Sequence, residues 1–115
     1  MIKETEIESS SHIILNGYAL STSGDVIIRE ESSRFFTVCL YAKVRDDQDL
    51  HFLINAHNNQ NDLIGMPFSL ITEEGAACCS TCIINSMQYS SSDGIVTLKL
   101  GHPHGISLGG GLHWM

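Results

Sequence analysis

The chain has 115 residues, 43% hydrophobic and 17% charged, and thirteen acids against six Lys and Arg give it a formal net charge of -7. This is the composition of one folded domain that can bury a core without metal or disulfides, and it excludes a disordered chain. With no cluster of Lys or Arg, the acidic balance excludes nucleic acid and anionic membrane surfaces as partners. No apolar run is long enough to cross a bilayer as a helix.

The first eleven residues are acidic and end in Ser9-Ser10-Ser11. They read as a mobile arm over 1–11, unless Ile2 and Ile7 let it pair on a sheet edge. No apolar stretch of signal-peptide length is present, which predicts a cytoplasmic protein. Next come two candidate strands, His12 to Leu20 and Asp25 to Glu30, around a turn at Ser21-Thr22-Ser23-Gly24.

Period-two alternation is clearest from Arg34 to Val44, where Phe36, Val38, Leu40, Ala42 and Val44 share one face. A polar turn at Arg45 to Asp49 leads into Leu50 to His57, which alternates in the same way through Leu50, Phe52, Ile54 and Ala56. The two segments predict a hairpin that places Ala42 against Phe52, Leu40 against Ile54 and Val38 against Ala56. Its other face then holds Cys39 opposite Asn55 and Thr37 opposite His57.

A polar loop follows from His57 to Asp62, and Leu63 to Met66 is expected as one helical turn or a plug over the core. Further strands are predicted at Pro67 to Thr72, Cys79 to Tyr89 and Ile95 to Leu100, separated by turns at Glu73-Glu74-Gly75 and Ser90 to Gly94. A last strand is expected from Ile106 through Leu108, or resuming at Leu112. No segment carries a helical stripe of useful length. The fold class expected is all-β, a single-domain antiparallel β-sandwich or small barrel of about seven or eight strands.

The four cysteines, Cys39, Cys78, Cys79 and Cys82, are too few and too clustered for a disulfide scaffold. Cys79-Ser80-Thr81-Cys82 has the spacing of zinc and thiol-redox sites, but those need a tight turn or a helix start. In a strand, positions three apart face opposite ways, so packing is the expected role. Cys39, Asn55 and His57 contain the residue types of a thiol hydrolase, yet nothing signals an oxyanion hole.

His102, Pro103 and His104 open a C-terminal stretch that continues through Gly109-Gly110-Gly111 to Leu112, His113 and Trp114. His102 and His104 project to one side of an extended chain, and with His113 they would hold zinc. The glycines lack the residues of a phosphate loop and predict a bend, with Leu112 and Trp114 as an apolar anchor.

No catalytic residue is assigned. The function expected is a small acidic protein-binding module, an inhibitor or immunity protein neutralising a basic partner such as a nuclease toxin. Glu30, Glu31, Asp46, Asp47, Asp49, Glu73, Glu74 and Trp114 are its candidate contacts, because opposite charge steers association. The alternatives are a metal- or ligand-binding barrel built on His102, His104 and His113, and an assembly subunit or homo-oligomer that pairs through strand edges.

Overall fold

Asn16-Gly17 organises the first third of the chain in the computed structural model, which describes residues 2–7, 10–32, 35–75, 77–105 and 111–114. Both residues have positive φ, 49° and 83°, the conformation of the two-residue turn whose twist suits a hairpin. On its two sides lie β2 (Ser10–Leu15) and β3 (Tyr18–Thr22), with Leu15 opposite Tyr18. The outer segments are β1 (Lys3–Ile7) and β4 (Val26–Glu30), with Ile7 opposite Val26. Since His12 lies opposite Ser21, five positions onward on one arm and five back on the other, β1–β2 and β3–β4 are the arms of one long hairpin.

One expectation is corrected here: His12 to Leu20 is not one strand, because the chain reverses at Asn16-Gly17 and not at 21–24. Of the two readings of the N-terminal segment, Lys3–Ile7 follows the second, an edge strand paired with β4 through Ile7 opposite Val26. This edge carries Lys3, Glu4 and Glu6, charges of the kind that keep an open edge from pairing with another chain.

The remaining elements are β5 (Phe36–Lys43), α1 (Asp47–Asn58), β6 (Met66–Thr72), β7 (Ala77–Ser90), β8 (Ile95–Gly101) and β9 (His113–Trp114). Hydrogen bonding runs β5-β3-β2-β6-β7-β8 and returns from β8 to β5, closing an antiparallel barrel of six strands. Of the two all-β alternatives, the structure is thus the small barrel. β4 and β1 extend outward from β5, and β9 pairs with β7. The expected final strand at 106–108 lies outside the described residues.

Alternation fills the barrel. Phe36, Val38, Leu40 and Ala42 of β5 are buried together with Ile13, Leu15, Leu20, Phe68, Leu70, Val96, Leu98 and Leu100 from the other walls. Phe36 and Phe68 meet across the interior with ring centroids 6.0 Å apart.

Leu50 to His57 is not a strand but most of α1, and this is the largest correction. Its apolar residues at 50, 52, 53, 54 and 56 fit either period, and the N-terminal cap decides. Asp46 is extended and its carboxylate accepts from the backbone N–H of Asp49, with Asp47 and Asp49 in the positive first turn. Leu53 is then fully buried, Leu50, Phe52 and Ala56 pack beside it, and Ile54 is left exposed.

The barrel also requires such an element. β5 and β6 stand three places apart in a ring of six, on opposite walls, so the chain between them must cross the barrel mouth. A helix of this length spans about 18 Å at 1.5 Å per residue, enough to cross and to close that end.

Candidate functional site

Asp49 lies at the rim that α1 closes, and it is the one charged residue buried among those described, 1% exposed. Its carboxylate accepts from Arg45 Nε at 2.8 Å, Arg45 Nη2 at 3.0 Å, the Arg45 backbone N–H at 2.9 Å and the Tyr18 hydroxyl. Arg45 also donates to the carbonyl of Ala19 at 3.0 Å, and the Tyr18 ring stacks on Phe52 with centroids 4.2 Å apart.

Hydrogen bonds from Arg45 hold the Asp49 carboxyl well below the usual carboxylate range, against the opposing effect of burial. The same contact raises Arg45, and the hydrogen bond to Asp49 raises the Tyr18 phenol. The cluster ties β3, the β5–α1 junction and the helix together. Every lone pair of Asp49 is spent on this work.

Behind the helix lies a cleft of about 340 Å³ lined by Asn16, Phe52, Asn55, Ala56, Asn59, Gln60, Asn61, Gly65 and Met66. Among the described residues its lining holds five carboxamides and no charged side chain. Two of the five are in use: Gln60 accepts from the N–H of Ile84 at 2.7 Å and donates to its carbonyl at 2.9 Å, while Asn61 accepts from the N–H groups of Leu63 and Ile64. Asn16, Asn55 and Asn59 are exposed, and their side chains bond no described residue.

The proposed acidic contacts divide between opposite ends of the barrel. Asp46 and Asp47 stand at the helix end, where Asp46 is occupied as the cap and Asp47 is exposed. Glu31, Glu73 and Glu74 are exposed at the other end, where β4 joins β5 and β6 joins β7. Glu30 is half-buried and its Oε1 is enclosed without a hydrogen-bond partner among the described residues. Asp49 is not a surface contact, because its carboxylate is consumed by Arg45 and Tyr18. Trp114 is 44% exposed and pairs with Cys78 at the β9 edge.

No protein-family model, curated protein or solved structure matches the chain.

Cys39, Asn55 and His57 are not juxtaposed across a hairpin. β5 sets Cys39 beside Ile27 and Lys99, while Asn55 and His57 belong to α1. Cys79 and Cys82 do lie in a strand: Cys79 is half-buried and pairs with Ser69 and His113, whereas Cys82 faces the core. Burial pushes the Cys78 and Cys82 thiols up to about 12, so neither supplies a thiolate near neutral pH. Ellman's reagent is expected to modify no more than Cys39 and Cys79 in the native protein and all four thiols in guanidinium. Rapid native labelling of Cys78 or Cys82 would contradict this burial.

His102 lies against Phe35 with ring centroids 4.5 Å apart and its Nδ1 is enclosed, while His104 is exposed and His113 pairs with Cys79 on β9. Among the described residues, no three His, Cys, Asp or Glu are grouped to hold a metal ion. The stretch around Pro103 has a packing role instead. Pro103 is buried, and the N–H groups of His104 and Gly105 donate to the carbonyls of Asp62 and Leu63 at 2.7 and 3.1 Å. Among the described residues, no helix is long and apolar enough to cross a membrane.

Proposed function

We propose that the protein is a binding module without catalytic chemistry of its own, which docks on a basic protein partner. The observation that carries this reading is the exposure of acid at both barrel ends in a chain of net charge -7. Asp47 at the start of α1 and Glu31, Glu73 and Glu74 at the opposite end are exposed, and they outnumber the cations beside them, Arg45 and Lys3. The long-range field of such an excess speeds encounter with a cationic surface. Inhibition by coverage is a function of this class, as when an immunity protein neutralises a nuclease toxin.

The test is capture from an extract of the native host on immobilised protein, using Asp47→Lys and the double variant Glu73→Lys/Glu74→Lys. Asp46 is left intact because it caps α1. A basic protein should be retained at low ionic strength, released by about 0.5 M salt, and lost with one of the two variants, which identifies the docking end. Retention of no basic protein, or equal retention by both variants, refutes the proposal.

A further inference from the structure

We infer that the cleft beside α1 binds the main chain of an extended, uncharged peptide segment. This deepens the reading as a protein-binding module and rests on it. A carboxamide carries the same donor and acceptor as a peptide group, and this fold already uses one in that way. Gln60 addresses the N–H and C=O of Ile84 together, standing where a neighbouring strand would stand on that edge of β7.

Asn55 of α1 and Asn59, the residue that caps its C-terminus and donates its N–H to the Asn55 carbonyl, repeat this carboxamide one turn apart. Four residues of helix advance about 6 Å, and the hydrogen-bonding groups on one edge of an extended chain recur every two residues, about 6.7 Å. The two spacings match closely enough for both carboxamides to address successive groups of one strand-like segment. Asn16, held at the hairpin turn, lines the same cleft.

Phe52, Ala56 and Met66 supply apolar lining for one side chain of the bound segment. The turn that carries Asn61 and Gly65 also exposes Leu63 and Ile64, 64% and 68% accessible. These extend the apolar contact beyond the cleft. The volume lies at the lower end of the range for ligand sites, roughly 300 to 1,000 Å³, and suits a short stretch of chain.

Charge and ring geometry narrow the ligand. With no ionisable side chain among the described lining residues, a charged group would enter without a counter-ion. Ring area is scarce as well: Phe52 is the one aromatic residue among the described lining, and Tyr18 covers one of its faces at an interplanar angle of 11°.

The test is NMR titration of the full chain, labelled with nitrogen-15, using the blocked tripeptide acetyl-Val-Thr-Leu-N-methylamide and, separately, maltotriose. The side-chain NH₂ signals of Asn16, Asn55 and Asn59 should move saturably with the peptide at about millimolar concentration, the range open to a ligand of this size. They should stay in place with maltotriose. Asn55→Leu/Asn59→Leu, substitutions at exposed positions, should weaken peptide binding at least tenfold while the backbone spectrum stays folded.

Unmoved signals with the peptide, saturable shifts with maltotriose in its place, or full affinity in the double variant would each overturn the inference. A basic partner captured through Asp47 or Glu73 and Glu74 with an unresponsive cleft sinks the inference alone. Peptide binding in the cleft with no basic partner retained sinks the docking proposal alone.

Discussion

Asp49→Asn is expected to cost about 2–4 kcal/mol of folding stability, a large share of what a domain of this size possesses. The carboxylate accepts from two guanidinium nitrogens, one backbone N–H and one phenol in a position that water does not reach. An asparagine has a single acceptor oxygen, and its NH₂ would point at donors. Arg45 is half-exposed and can turn to water, so the loss falls on the buried end of the cluster, where Asp49 and the Phe52–Tyr18 stack fix α1 over the barrel mouth.

Urea denaturation should show a lower midpoint with an unchanged slope, and a change below about 0.5 kcal/mol, the scatter of ordinary surface substitutions, would refute the role given to Asp49. The pH dependence has a definite sign. Asp49 is held far below its unfolded value in the folded chain, so its contribution is complete above about pH 5 and is lost progressively as pH falls through the ordinary carboxylate range and below. The gap between wild type and Asp49→Asn should therefore narrow on acidification. A gap that widened as the pH fell would contradict the assigned shift.

The barrel wall was legible wherever one face of a strand meets the core. Phe36 to Ala42 and Val96 to Leu100 alternate without ambiguity, and their strands lie where alternation puts them. Leu50 to His57 misleads because apolar residues at 50, 52, 53, 54 and 56 satisfy both periods. The deciding signal is polar and upstream: Asp46 three residues before Asp49 is a helix start, and it looks like a turn when the following segment is read as a strand.

Asn16-Gly17 was a second readable signal, the strongest short-range mark of a hairpin, hidden inside a run that alternates across it. Other features depend on closure and could not be read locally. The spacing of Arg45 and Asp49 suggests an ion pair, but nothing near them points to Tyr18, which lies 31 residues away. The cleft likewise joins position 16 to the C-terminal half of α1 and to Met66, neighbours only because β2 and β6 pair and the helix crosses the mouth. The acids near predicted turns were found, but their division between two ends required the strand directions.

Gly65→Ala should destabilise the protein far more than Gly75→Ala, although both glycines have positive φ, 74° and 89°. At Gly75 a methyl group meets nothing within 4 Å among the described residues, so the substitution costs only the left-handed backbone, about 1 kcal/mol. At Gly65 the same methyl would sit 2.6 Å from the carbonyl oxygen of Cys82 and 2.7 Å from Pro103 Cγ. One obstacle is a barrel-strand backbone and the other a buried ring, and neither yields cheaply, so the expected loss is about 3 kcal/mol or more. Gly105→Ala should resemble Gly65→Ala without the φ penalty, since its methyl would overlap the carbonyl oxygen of Leu63. Gly65, Pro103 and Gly105 are thus the small or rigid residues that let the strip after β8 lie flat on the turn leading into β6. Thermal melts of the three variants test this directly, and equal losses at Gly65 and Gly75 would show that backbone conformation alone, and not the docking of that strip, explains the glycine.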